Sequence, residues 1–431
     1  MYRKIMKYLE EWKGSKHRKP LILQGARQVG KTYSLLEFGR TFYENVAYFN
    51  FETTTKLNET FEENISPDYL IPILSHIAGQ TIIKEKTLII FDEVQLCERA
   101  LTSLKYFCEN APDYHIVAVG SLLGVAVNRA KFSFPVGKVD IKTLYPMDME
   151  EYLLAVGEKN LIGQIKKCFE ENTPLPSALH DTAIKHYRQY LVVGGMPECV
   201  KQFAETKDYI LVRHIQNSIL TSYLNDMSKY NNLNEIKKTR LTYDNITVQL
   251  SKKNTRFQYK LIKKGGRASE FENAIEWLCL SGIVSQVYRA DQIKKPLENY
   301  KDIDAFKIYV SDLGLLCAKK NLDANDIIYM VDELNDFKGG MVENYVNVQL
   351  TINGYDTYYW ESDRVAEIDF IIQRDNKLIP IEVKSADNTK AKSLKIYMDI
   401  YKPDYAIKLS EKNFGFEDGK KTVPLYAAFC I

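Results

Sequence analysis

Short apolar blocks separated by amphipathic stretches run through the first 145 residues. Leu21–Leu23, Val46–Phe51, Thr87–Phe91, His115–Val119 and Val139–Leu144 show little polar alternation, as strands covered on both faces do. Between them, Leu35, Leu36 and Phe38, then Leu57, Phe61 and Ile65, then Asp68–Ala78 recur at helical spacing. Strands alternating with helices predict a parallel α/β sheet with its ligand at the C-terminal strand ends. The pattern turns helical over Met149–Val156, Leu161–Phe169 and Asp181–Val193, and Gly194-Gly195-Met196-Pro197-Glu198 reads as a structural turn. From Ile246 it gives a helix, a turn at Lys253-Asn254, a basic helix, a helix over Ala268–Ser281, and strands at Ile283–Tyr288 and Phe306–Val310. Three helices and a two-stranded wing predict a winged helix. Near the end, a helix after Gly339-Gly340 precedes strands at Tyr355–Glu361, Ala366–Ile372 and Leu378–Lys384, the last two joined by a hairpin through Asp375-Asn376.

Candidate chemistry falls on this frame at two places. Gly25-Ala26-Arg27-Gln28-Val29-Gly30-Lys31-Thr32 has the G-x-x-x-x-G-K-[ST] spacing of a phosphate-binding loop between a strand and a helix. Such a loop turns its N–H groups inward and adds the positive end of the helix dipole. Lys31 is expected at the β- and γ-phosphates and Thr32 on Mg²⁺. The strand Thr87–Phe91 runs into Asp92-Glu93, a second metal contact followed by the carboxylate that orients the attacking water. Ser121, after the fourth strand, is the candidate γ-phosphate sensor.

The second place is the hairpin near the end. Glu367 and Asp369 share one strand face, Glu382 and Lys384 share one in the next strand, and Glu343 lies on the preceding helix. Asp369, Glu382 and Glu343 could hold Mg²⁺ through hard oxygens, and Lys384 could position water and stabilise charge on a phosphate. The D…E-x-K pattern resembles the PD-(D/E)xK nuclease core, and the same fold also serves as an inactive scaffold.

LILQGARQVGKT, LIIFDEVQ, AVGS and GGMPE together resemble a prokaryotic family of AAA-type ATPases. Its members carry a C-terminal domain of unknown function related to restriction endonucleases. The resemblance implies Mg-ATP binding and hydrolysis. It departs at Gly137-Lys138, where members often have Gly-Arg, and Arg129 is the nearest arginine-finger candidate. The expected organisation is an AAA-type P-loop core over 1–147, a helical subdomain over 148–228, a winged-helix-like domain over 229–325 and a nuclease-like α/β domain over 326–431. The expected function is an ATPase whose nucleotide state is coupled to the winged helix and to a nuclease-like domain acting on nucleic acid. The alternative is a signalling or scaffold NTPase whose last domain is inactive and binds partners.

Composition narrows this only a little. At 431 residues, 45% hydrophobic and 26% charged, the chain is long enough for several ordinary globular domains. A net charge of +2 gives no overall pull toward nucleic acid or anionic membrane. Between Lys229 and Tyr300, however, fourteen Lys or Arg face seven Asp or Glu. Arg256, Lys260, Lys263, Lys264 and Arg267 could follow a phosphate backbone, so DNA is one candidate partner and protein the other. Seven cysteines without a C-x-x-C pair, and no apolar run of membrane-spanning length, predict a cytoplasmic protein without a zinc site or membrane contact.

Overall fold

Five parallel strands form the first sheet of the computed structural model, in the order β2-β3-β4-β1-β5. They are β1 (Leu21–Gln24), β2 (Asn45–Asn50), β3 (Thr87–Asp92), β4 (His115–Val119) and β5 (Asp140–Thr143). The described residues are 1–54, 56–121, 123, 135, 137–229, 232–251, 256–362, 366–385 and 392–431. The expected turn at Lys253-Asn254 and the candidate Arg129 lie outside them.

All of β3 and β4 is buried, which is why these strands read as unbroken apolar runs. Helices Lys31–Phe42, Lys56–Glu63, Pro67–Ala78 and Glu98–Asn110 supply the crossovers. Phe51, Phe61 and Phe91 pack as an aromatic triangle with ring centroids 5.6–5.8 Å apart. Because β4 lies between β1 and β3, the loop after it opens between the two motif-bearing strands.

The chain divides into two compact units, Tyr2–Tyr145 with Leu280–Gly282, and Pro146–Cys279 with Ile283–Ile431. The second holds an eight-stranded mixed sheet in the order β12-β13-β11-β10-β9-β8-β6-β7. Its strands are β6 (Val284–Ala290), β7 (Lys301–Val310), β8 (Tyr358–Ser362), β9 (Ala366–Arg374), β10 (Lys377–Val383), β11 (Ala406–Ser410), β12 (Gly415–Glu417) and β13 (Lys420–Pro424).

Three expectations change here. The strands expected as a wing, β6 and β7, pair antiparallel, but β6 also pairs in parallel with β8. They are therefore the edge of the sheet that carries Asp369 and Glu382, not a free hairpin. The last six residues of β7 are all buried, as suits a sheet strand rather than a wing. The expected basic helix shrinks to one turn, Tyr259–Ile262, because Phe257 is drawn into a stack with Phe306 at 5.5 Å. Arg256, Lys260, Lys263, Lys264 and Arg267 remain exposed around it. The helix bearing Glu343 starts earlier than expected, at Asn335, and carries Gly339 and Gly340 inside it.

The Gly-Gly-Met-Pro-Glu turn has a specific task. Asp312 starts the helix Leu313–Lys319 by accepting from the Leu315 N–H at 2.8 Å, and its other oxygen accepts from the Gly195 N–H at 2.6 Å. A Cβ on Gly195 would stand 2.0 Å from the Met147 carbonyl oxygen, so no other residue fits. Burial pushes the Asp312 carboxyl up to about 6, while the backbone N–H groups around it pull the other way.

Candidate functional site

The loop after β1 is shaped by backbone conformations that its sequence permits. Gly30 precedes the helix Lys31–Phe42 at φ 90°, and Gln28 stands at φ 65°. Val29 is fully buried, and its carbonyl accepts from the Arg3 guanidinium at 2.7 Å; the same guanidinium donates to the Tyr145 carbonyl at 2.7 Å. Ala26 is buried and Arg27 half-buried. Lys31 folds over the loop, donating to the carbonyls of Gly25 at 2.9 Å and Ala26 at 2.8 Å. Its ammonium is thus held against the loop's own backbone.

The two motifs meet across the sheet. The Thr32 hydroxyl donates to Asp92 Oδ2 at 2.9 Å, and the Tyr48 hydroxyl from β2 donates to the same oxygen at 2.7 Å. Asp92 Oδ1 accepts from the Glu93 N–H at 2.9 Å. A hydroxyl and a carboxylate oxygen side by side are hard donors, and the pair fits Mg²⁺ shared with a nucleotide. Burial, with Asp92 and Glu93 nearby, pushes the Tyr48 phenol up to about 12, so it stays a donor. Glu93 turns out of β3 at φ 52°, the left-handed region, and the Gln95 amide donates to its carboxylate. Ser121 lies buried just beyond β4. Lys138, at the Gly-Lys departure, pairs with Glu109 at 2.9 Å.

The second cluster is built differently. In β9 and β10, Ile381 pairs with Phe370, and the Val383 N–H donates to Asp369 Oδ2 at 2.7 Å. Lys384 reaches Glu382 Oε1 at 2.8 Å, and Glu382 is 1% exposed with Oε2 unpartnered. Glu343 and Glu367, however, close on a residue the sequence did not single out. Lys307 of β7 lies 2.7 Å from Glu367 and 3.4 Å from Glu343, and the Tyr309 hydroxyl donates to Glu343 at 3.1 Å.

Burial alone would pull the Lys307 ammonium down, but Glu343, Tyr309, Glu367 and Asp369 together hold it well above the usual lysine range. Burial, then the Glu343 charge, raises the Asp369 carboxyl well above its ordinary range, which favours the neutral form. Among the described residues, no group of three or more His, Cys, Asp or Glu is arranged to hold a metal ion. Of the expected metal set Glu343, Asp369 and Glu382, Glu343 has the Lys307 ammonium beside it and Glu382 that of Lys384.

Tyr48, Arg3 and Lys307 are the site residues that sequence reading missed. Tyr48 and Lys307 each alternate with apolar neighbours in a strand, and only strand order shows what they face. Among the described residues no helix is long and apolar enough to cross a membrane.

With the geometry in place, comparison with known families is informative for the first unit. Residues 17–153 match the AAA domain family. The likeness to an AAA domain is carried by this segment. Residues 184–326 match a domain of unknown function (DUF8612), and residues 338–428 match another (DUF4143). No protein of curated function matches the chain. Among solved structures, the Walker-type ATPase PABY2304 of Pyrococcus abyssi is 14% identical, covering 73% of this chain and 94% of its own at a TM-score of 0.44. The Aeropyrum pernix ORC1 protein in complex with DNA is 14% identical, covering 74% and 91% at 0.29. The Thermotoga maritima RuvB Holliday junction branch migration motor is 13% identical, covering 68% and 90% at 0.29. Likenesses this distant bear on neither the activity nor the partners of this chain.

Proposed function

We propose that this protein binds and hydrolyses Mg-ATP at the loop Gly25–Thr32. The observation that carries the reading is the 2.9 Å contact between Thr32 and Asp92, which joins the two motifs from strands two positions apart in the sheet. In this reading the loop N–H groups and the Lys31 ammonium hold the β- and γ-phosphates, so that charge shifting onto the leaving oxygen meets fixed donors. Glu93 accepts a proton from the attacking water, and Ser121 donates to the transferred phosphoryl group. Mg²⁺, held by Thr32 and Asp92, would neutralise phosphate charge. Purified protein should release phosphate from Mg-ATP, and Lys31→Ala and Glu93→Gln should abolish the release. A wild-type protein that neither binds nor hydrolyses ATP with any divalent metal overturns the reading.

For the second unit, Lys307 favours the scaffold over the nuclease. An ammonium between Glu343 and Glu367 supplies the positive charge that metal-assisted hydrolysis draws from a divalent ion. Nucleotide state in the first unit then governs what the second binds, a protein or, through Arg256, Lys260 and their neighbours, DNA. All seven cysteines are free, which supports a cytoplasmic setting. Plasmid, linear DNA and RNA incubated with Mg²⁺ or Mn²⁺ should stay intact. Cleavage that disappears in Glu382→Ala and Lys384→Ala would restore the nuclease.

A further inference from the structure

We infer that Gln95 is the positioning residue of Glu93, seated on Gly120, and that hydrolysis depends on it through the orientation of the Glu93 carboxylate. The inference rests on the ATPase reading above.

Three observations meet at this point. The Gln95 Nε2 group donates to Glu93 Oε2. Only the amide N–H₂ end can face a carboxylate, so the side chain's orientation is fixed by chemistry. The other end, Gln95 Oε1, is buried without a hydrogen-bond partner and lies directly over Gly120, where an added Cβ would stand 2.0 Å away. Gly120 follows β4, the strand between those that lead to Lys31 and to Asp92, and precedes Ser121. Glu93 itself sits at φ 52°, a conformation costly for a residue with a Cβ unless its surroundings fix it.

The arrangement follows a general rule of base catalysis, in which a base is aimed by a third group that holds it from behind. Here the chain is Gly120, then Gln95, then Glu93. A free glutamate has three side-chain torsions to order before it can take a proton. One held at a carboxylate oxygen presents the other in a fixed direction. The Gln95 carbonyl is buried and unpaired, which costs free energy, and orienting Glu93 gives it a reason.

The test is steady-state Mg-ATP hydrolysis, read as kcat and KM separately, for wild type, Glu93→Gln, Gln95→Ala and Gly120→Ala, with binding of a non-hydrolysable ATP analogue as the folding control. Gln95→Ala should lose roughly ten- to a hundredfold in kcat, a part of what a positioned base contributes, with KM and analogue binding unchanged. Gly120→Ala, which displaces Gln95 without removing it, should show the same pattern. A Gln95→Ala kcat equal to that of the wild type, or a loss of kcat matched by an equal loss of analogue binding, overturns the inference and leaves the ATPase reading intact. No hydrolysis by the wild type overturns both.

Discussion

Each unit of this protein buries a lysine at its candidate site, and the contacts of the two lysines differ. Lys31 bonds the carbonyls of its own loop, while the acids opposite it are held by neighbours: Asp92 by the hydroxyls of Thr32 and Tyr48, Glu93 by Gln95. Lys307 instead goes straight into the acids, 2.7 Å from Glu367 and 3.4 Å from Glu343. The same residue types thus leave the acids of one unit to hydroxyl and amide donors, and set two acids of the other on one ammonium. What separates them is whether the charge is balanced by a ligand or by the fold itself.

That contrast can be broken most decisively at the lysines. Lys31→Ala should cost a thousandfold or more in ATP turnover, about 4 kcal/mol of transition-state stabilisation, and less than about 2 kcal/mol in folding stability. Phosphate release and a denaturant midpoint on the same sample check both halves. Lys307→Met should reverse the pattern. It strands Glu343 and Glu367 without their cation and should lower the stability of the second unit by about 3–5 kcal/mol. If instead Lys307→Met unfolds at the wild-type midpoint, the cluster is not held by its charge.

Asp312 sharpens the comparison from a third side, as a buried acid balanced by backbone N–H groups rather than by a lysine or a ligand. Its folded value of about 6 lies above the ordinary 3.8, so the stability it contributes is fully present below about 3.8 and is lost as pH rises through about 6. The difference in unfolding free energy between wild type and Asp312→Asn should therefore change by up to about 3 kcal/mol between pH 4 and 6.5. A flat difference across that range would show that the carboxyl is not raised. The smallest effect is expected at Tyr48→Phe, which leaves Asp92 with one hydroxyl donor fewer. It should raise the Mg²⁺ concentration needed for half-maximal turnover a few-fold, about 1 kcal/mol, with turnover at saturating Mg²⁺ nearly unchanged.

Much of the first unit could be read from local pattern because its chemistry is local. Gly25–Thr32 is one continuous segment between a strand and a helix. Asp92 and Glu93 follow an apolar run whose burial on both faces left no polar alternation to confuse it. The hairpin at Asp375-Asn376, where both residues take positive φ, was equally local. The GGMPE turn could be recognised as structural, although nothing in it named Asp312, 117 residues away, as its partner.

Strand order was another matter. A period of two says which residues share a face of one strand, but not which strand lies alongside. The apolar, alternating β6 and β7 suited a wing as well as a sheet edge, and only their pairing with β8 decided between them. That pairing is also what carries Lys307 into the acidic cluster from 60 residues before Glu367. The sequence determined where a nucleotide would be held, because one short segment contains the loop that holds it. Only the tertiary structure decided that Glu343 and Glu367 share the Lys307 ammonium, because the balance of a buried charge depends on what long-range packing brings beside it.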